Sequence, residues 1–449
     1  MAVAGVVDRG PYSKVTTVRR SDAFLATSRE NRGEARDDVR LAVRAGLVRQ
    51  FGSGLYGFAP SGERVRRKII DVVASEVDAI GGQRVSLPQL NYRDVWEASG
   101  RWGSFEGEMF TLENRDGAEL CLAPSHEEGV VALVDGFVRS YDDLPLLLYQ
   151  VESKHRDDHA RNGLLRTKEF TMKDAYSLHA TEDGLRETYQ DVRAAYCRIF
   201  DALGLDVVIC EADNAAMGGS ASEEFVAPVE RGGTLDLVAC ERDGCRFGVT
   251  DEHRDFGAYR REDGDGIDEC PDCGGSLAAT EGVEVGHVFQ LGRRYSDAMD
   301  LRVDTADGDQ TAVEMGSYGI GVTRVVQTLL AQHANADGCR WPVTDAGTVA
   351  PYEVAVVPLA YEGEIRAAAD RVHDELEAAG VDCLLFDDRE QTIGERFAES
   401  DLLGVPTKVV LGNHYADTGE VELESRDGDT RYRGLDAAIA ELREATGTH

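Results

Sequence analysis

Lysine is nearly missing from this 449-residue chain: Lys14, Lys68, Lys154, Lys168, Lys173 and Lys408 are the only six, and the other 42 of its 48 basic residues are arginine. Against them stand 83 acidic residues, for a net charge of −35. Affinity for phosphates comes from basic neutralisation and counterion release, so bulk charge argues against a nucleic-acid partner. At molar salt the Debye length falls to about 3 Å, and then only local arginine contacts count. The acidic excess runs along the whole chain, which reads as a solvated halophilic surface and not as a binding tail. No apolar run approaches the roughly 18 residues of a membrane span, and residues 1–20 hold no apolar core of signal-peptide length. A cytoplasmic protein with no membrane partner is expected. Cysteine comes as nine residues, an odd number, which in such a chain argues for thiols and metal ligands over a disulfide frame.

With 42% hydrophobic and 29% charged residues the composition is globular, and the length predicts two to three domains. Leu185, Tyr189, Val192, Tyr196, Ile199 and Leu203 recur at helical spacing from Glu182 onward; Gly204 ends the helix, and 206–210 reads as a strand. A second amphipathic helix is predicted over 64–80, closed by Gly81 and Gly82. From 231 to 280 the chain turns rich in Gly, Asp and Cys with little periodicity, which predicts a small insert bounded at about 228–282. After Trp341-Pro342 a polar stretch reads as a linker. Beyond it strands over 353–358, 381–386 and 407–411 alternate with helices over 364–379 and 394–403, which predicts an α/β unit of about 100 residues. The division expected is 1–345 and 350–449.

The most informative stretch is Lys154-His155-Arg156-Asp157-Asp158, a polar loop, and then Leu165 to Ser177. Two strands around a loop make an antiparallel hairpin, and arginines on its face suit a triphosphate because guanidinium binds phosphate oxygens in a bidentate way. A surface hairpin laced with ion pairs fits the same spacing. Ser125-x-x-Glu128 has capping-box spacing. Cys240-x4-Cys245 and Cys270-x2-Cys273 can supply tetrahedral zinc-thiolate coordination to a segment with no core of its own, or stand as four free thiols. Cys121, Cys197, Cys210, Cys339 and Cys383 read as buried, and His179 and His373 as surface or capping groups.

Arg156-x-Asp158, followed by Arg166-x-x-x-Phe170-x-x-x-Asp174, resembles motif 2 of the class II aminoacyl-tRNA synthetases. The string Glu169 to Ser177 is similar to prolyl-tRNA synthetases of bacterial type. Gly316 to Arg324 resembles motif 3, Gly81 to Pro88 the dimerising motif 1, Leu122 to Glu128 the amino-acid loop, and Gly286 to Gly292 a strand lining the same pocket. Residues 44–56 resemble the family's N-terminal segment.

This resemblance implies an α+β catalytic domain, an antiparallel sheet flanked by helices, followed by a C-terminal α/β anticodon-binding domain, in a homodimer. It implies ATP with Mg2+, a proline or other small amino acid, and tRNA as partners. Arg156 would hold the carboxylate and α-phosphate, with Arg166 and Arg324 on the outer phosphates. Asp158, Phe170 and Gln290 would meet the nucleotide, and Ser125, Glu127, His287 and Ser317 the amino acid. Asp388, Arg389 and Arg396 would meet tRNA.

Ser125, Asp158 and Ser317 stand where the family usually carries Thr, Glu and Cys, and Arg293, Glu314, Gln391, Thr392 and Arg396 also depart from its pattern. No room remains between Phe225 and Gly286 for the large editing domain of many bacterial members. The alternatives are a paralogue for another small amino acid and a catalytically idle tRNA-binding or regulatory protein; retention of all three arginines weighs against the idle protein.

Overall fold

The computed structural model describes residues 18–28, 37–105, 108–212, 221–259, 267, 269–388 and 390–446. Its larger sheet runs in the order Val208–Glu211, Ala221–Val229, Leu277–Gly292, Glu314–Ile320, Glu169–His179, Leu146–His155 and Gln83–Arg84. All neighbours pair antiparallel except the last two, which are parallel.

One face of this sheet is covered by the helices Pro60–Ala79, Glu182–Leu203 and Val322–His333. The first opens with proline, whose missing N–H costs nothing in a first turn. The second is capped by the Thr181 hydroxyl, which accepts from the Gly204-terminated helix's Gly184 amide, and it ends in left-handed Gly204 at φ 65°. Its predicted stripe of Leu185, Tyr189, Val192, Tyr196, Ile199 and Leu203 is buried, together with Val65, Ile69, Val73, Tyr318 and Val325. Gly286 lets the strand approach that helix: a Cβ there would lie 3.3 Å from ring atoms of Tyr196 and Phe200. The opposite face carries the shorter helix Glu127–Val134 over Leu87, Leu148, Tyr176, Leu291 and Met315, and leaves the rest of the sheet open as a floor.

The second sheet has the order Val18–Arg19, Cys383–Leu385, Val354–Pro358, Thr407–Leu411, Glu420–Ser425 and Thr430–Gly434, parallel through the first four and antiparallel after. The predicted alternation holds, with helices at Gly363–Ala378 and Ile393–Leu403. Val18–Arg19 joins this sheet from far away in sequence, which the linear division at 345 does not anticipate. Backbone pairing over such a separation leaves no local pattern. Arg64 Nη1 and Lys68 Nζ each reach Asp382 at 2.7 Å and tie the first sheet's helix to the second.

Three readings are corrected. The segment 231–280 is not irregular throughout: Leu235–Cys240 and Gly248–Thr250 are strands, and Leu235–Cys240 pairs onto the first half of Leu277–Gly292. His179 and His373 are buried, not surface groups, because the strand and helix that carry them turn them inward. Ser125 and Glu128 do not cap a helix; the N-cap is His126, with no side-chain cap, and both residues bond Arg101 instead. Cys121, Cys210, Cys339 and Cys383 are buried as expected, and Cys197 packs against the core from a partly exposed position.

Candidate active site

The hairpin read from sequence is formed by Leu146–His155 and Glu169–His179, in the register His155↔Glu169 to Leu146↔Leu178. Alternation places Phe170, Asp174 and Tyr176 on the face away from the three long helices, beside Lys154 and Gln150 of the neighbouring strand. The Arg156 amide still donates to Lys168 O at 2.9 Å, so the ladder carries Arg156 to the floor's end. Its guanidinium sits 5.5 Å from the Phe170 ring centre and donates from Nη2 to Pro124 O at 3.4 Å. Nε is buried without a partner among the described residues. Burial pushes this guanidinium's pKa down, opposed by Glu108, Glu284 and Glu127.

Arg166 and Arg324 flank it. Arg166 Nε pairs closely with Asp158, and Nη2 lies 3.9 Å from Glu108. Burial raises the Asp158 carboxyl, but hydrogen bonds from Arg166 and the His159 amide outweigh it and hold the group below its usual range. Arg324, in the first turn of Val322–His333, donates to Leu165 O at 3.0 Å and to Glu284. The Thr323 hydroxyl accepts from the Thr171 amide at 2.9 Å and locks the glycine-rich element to the hairpin.

Glu224, Glu284 and His287 bring one ligand atom each within 4.8 Å of one another. His287 Nδ1 lies 3.2 Å from Glu284 and 3.5 Å from Glu224, and its ring stacks on Phe289 at 3.7 Å. Burial and the Glu284 charge push the Glu224 carboxyl up to about 9. Burial also opposes Glu284, yet His287 and Arg324 hold it well below the carboxylate range.

On the other side of Arg156 lies the loop 124–127. Glu127 is buried; Ser317 Oγ donates to its Oε1 at 3.1 Å, and Arg101 Nη1 to its Oε2 at 3.0 Å. The His126 amide donates to Tyr176 Oη at 2.8 Å, Lys154 Nζ donates to His126 Nδ1 at 2.8 Å, and the ring's Nε2 lies 3.0 Å from Pro88 O. Lys154 is also paired with Asp174 at 2.8 Å. The loop is thereby bolted to both hairpin strands.

Ser125, Glu127, Arg156, Asp158, Arg166, Phe170, Glu284, His287, Ser317 and Arg324 therefore share one cleft. Gln290 does not: His287 and Phe289 face the same way, so alternation turns Gln290 to the opposite side. Glu224, Glu284, Lys154 and Arg101 complete the site without having been singled out for it; Glu284-x-x-His287 was the readable signal for one of them.

In the second sheet, Arg396 is corrected as an RNA contact. It is 4% exposed, donates from Nη1 to Pro358 O and from Nη2 to Asp388 O at 2.7 Å, and so braces the loop from inside. The Asp388 carboxylate accepts from the Glu390 amide at 2.9 Å, and Arg389 lies outside the described residues. The four thiols Cys240, Cys245, Cys270 and Cys273 do converge, with Sγ···Sγ distances of 3.5 Å (240 to 273) and 3.7 Å (245 to 270).

A family profile described as the tRNA synthetase class II core domain (G, H, P, S and T) matches residues 110–333, and one described as an anticodon binding domain matches 353–445. Fold and cleft are those of a class II tRNA synthetase. A proline-tRNA ligase of Rhizorhabdus wittichii is 36% identical over 95% of this chain and 100% of its own length. The chain belongs to the proline-tRNA ligase family. A Nocardia farcinica member is 33% identical over 91% of this chain and 96% of its own; that alignment spans 565 positions against 449 residues here, so the relative carries residues this chain lacks. The fold is also that of a Cryptosporidium parvum prolyl-tRNA synthetase solved with L-proline and AMP, at TM-score 0.70 and 16% identity, covering 94% of this chain and 78% of that one.

Proposed function

We propose that this protein joins proline to tRNA at the expense of ATP, through a prolyl-adenylate. The observation that carries the reading is the Arg156 guanidinium, stacked near Phe170, with a buried unpartnered Nε and with Glu127 among the acidic groups acting on it. An anion placed there, the substrate carboxylate next to the α-phosphate, gains charge-assisted hydrogen bonds, while Glu127 meets the cationic imino nitrogen. A carboxylate oxygen attacks the α-phosphorus and pyrophosphate leaves. The terminal ribose hydroxyl of tRNA then attacks the acyl carbon and AMP leaves. Arg166 and Arg324 take the outer phosphates, exchanging Asp158 and Glu284 for them; catalysis is positioning and charge stabilisation. Asp158 and Phe170 remain our candidates for adenine, and Ser125 and Ser317 for the amino-acid side.

The carboxylates of Glu224 and Glu284 fit Mg2+, a hard cation that takes oxygen ligands, and His287 beside them remains our candidate for the amino-acid side. The buried Glu224 carboxylate and the partly exposed Glu284 carboxylate repel each other there, and Glu224 Oε2 and His287 Nε2 lack partners among the described residues. Mg2+ bound there would neutralise phosphate charge. The four thiols fit structural Zn2+: with Zn–S near 2.3 Å a tetrahedral set has sulfurs about 3.8 Å apart, close to the distances seen. Left-handed Gly244 (φ 77°) and Gly274 (φ 68°) turn the two knuckles.

We further propose domain limits at 1–345 and 350–449, with the strand Val18–Arg19 lent to the second unit's sheet, a homodimer through the edge near 81–88, a cytoplasmic location, a salt-adapted acidic surface, and no editing of mischarged alanine in cis. No described helix is long and apolar enough to cross a membrane. ATP-pyrophosphate exchange in multimolar KCl tests the substrate: it should depend on proline above every other standard amino acid, and equal exchange with alanine, cysteine or threonine would sink the assignment.

A further inference from the structure

Beneath the amino-acid pocket lies a buried charged cluster whose members Arg101 and Glu128 take no part in the proposed reaction. Arg101, just past the short helix Arg93–Ala98, is 4% exposed. Its Nη1 donates to Glu127 Oε2 at 3.0 Å and to Glu128 Oε2 at 3.1 Å, and its Nη2 donates to Ser125 Oγ at 3.1 Å. Both glutamates are almost fully buried, and Glu128 also accepts from Ser99 Oγ at 2.6 Å. The guanidinium is wedged among the rings of Trp96, Phe105 and Tyr295, 5.0, 4.9 and 5.5 Å from their centres, so it has little freedom to leave.

Resting on the reading of Glu127 as the partner of the substrate nitrogen, we propose that Arg101 is a positioning residue for amino-acid recognition. It supplies positive charge to two adjacent buried carboxylates and holds Glu127 and Ser125 in place for the substrate.

Two carboxylates side by side in a dry site cannot both ionise without a counter-charge. Burial opposes ionisation of both. For Glu127 the Arg101 charge and the bonds from Ser125 and Arg101 win, and the group stays below its usual range; for Glu128 burial and the Glu127 charge win, and the group is raised. The other titratable groups facing the cluster are Lys154 and Arg156 from the end of Leu146–His155, Asp174 and Tyr176 from Glu169–His179, Tyr295 from Arg294–Ala298, and His126 and Cys121 from the loop and strand before the helix. Lys154 is committed to Asp174, and Arg156 faces the bound carboxylate in the proposed reaction. Arg101 touches both glutamates. Charge at Glu127, the feature that selects a cationic nitrogen, thus depends on a residue that does not touch substrate.

The test compares wild type, Arg101→Met, and Arg101→Met combined with Glu128→Gln by ATP-pyrophosphate exchange from pH 6 to 8. Arg101→Met should raise the KM for proline about 30-fold or more, the usual scale for truncating one partner of a buried charge pair, with the KM for ATP little changed. The wild-type proline KM should be flat over this range. In Arg101→Met the pair titrates higher, so that KM should fall as pH rises, about tenfold per unit below the pair's pKa. Adding Glu128→Gln removes the competing carboxylate and should recover affinity and flatten the profile. Should Arg101→Met fail to fold, Arg101→Lys carries the test, with a raised KM and no pH slope because the charge remains. A folded Arg101→Met with wild-type proline KM overturns the proposal, as does a double variant as impaired as the single one, which would make Arg101 a packing residue. Wild-type enzyme that exchanges with another amino acid and not with proline overturns the substrate reading instead, and this proposal with it.

Discussion

Arg324 spends one nitrogen on one residue: Nη1 donates both to the backbone oxygen of Glu284 at 2.6 Å and to its carboxylate at 2.9 Å. A strand that carries a metal-ligand candidate thereby orients the arginine assigned to a phosphate. The two sites are built as one, so the nucleotide competes with Glu284 for a guanidinium already aimed at the cleft.

Arg324→Ala should lower proline-dependent exchange by about a hundred- to a thousandfold, equivalent to roughly 2.7 to 4 kcal/mol, the scale of losing one oriented donor to developing charge. tRNA affinity should stay near wild type, since the proposed partner is ATP. Exchange and filter binding on the same preparation check both halves; intact exchange would remove Arg324 from the ATP site.

Zinc should copurify at about one ion per chain, as a four-thiolate structural site requires. The Cys273 thiol is drawn down to about 7, chiefly by the Gly275 backbone amide, which favours the thiolate that a metal takes. Metal analysis of the purified protein, paired with thiol titration, decides the matter: four freely reactive thiols without zinc in folded protein would dismiss the site.

Arg396→Ala and Arg389→Ala should separate stability from RNA contact. Removing Arg396 strips charged donors from the carbonyls of Pro358 and Asp388, at about 1.5 to 3 kcal/mol per bond, so the denaturant midpoint of the second sheet should drop. Arg389→Ala should leave proline-dependent exchange unchanged and weaken aminoacylation through tRNA affinity. The reverse pattern, a stable Arg396→Ala with lost tRNA binding, would restore Arg396 as an RNA contact.

Lys173 gives a pH dependence of stability. Its ammonium is buried against Tyr196 Oη at 2.9 Å, and burial pushes its pKa down to about 7. The unfolded chain holds that proton up to about 10.4, so between roughly pH 7 and 10.4 the unfolded state binds more protons and stability rises with pH, by at most about 1.4 kcal/mol per unit. The contribution is complete above that window and is lost as pH falls through it. Lys173→Met should remove this part of the slope; urea melts of both proteins across the window would show parallel curves if the assignment is wrong.

Much of the site was readable because its chemistry lies in two local stretches. Arg156, Asp158, Arg166 and Phe170 sit on one hairpin, where period-two alternation and a polar loop betray the geometry. Arg324 follows a run of glycines that turns strand into helix. Arg101 left no such mark, because an arginine in a loop earns its place only through Glu127 and Glu128, 26 and 27 residues away. Arg396 was misread for a related reason, since which side of a helix packs inward depends on neighbours far away in sequence, whereas Gln290 could have been set aside by alternation from His287 alone.

The sequence by itself determined the family, two of the three long helices over the main sheet, the alternation of the C-terminal unit and the two thiol knuckles, because each rests on periodicity or on motifs within a few tens of residues. Tertiary structure alone decided that Val18–Arg19 completes the C-terminal sheet and that four thiols meet across 33 residues. It also decided that Glu224, Glu284 and His287 share a corner, and that Arg101 lies under Glu127. The physical reason is the same in each case. Burial brings charges and backbone edges together across long loops, and whether such a meeting is stable depends on the desolvation and pairing of groups that are not neighbours in the chain.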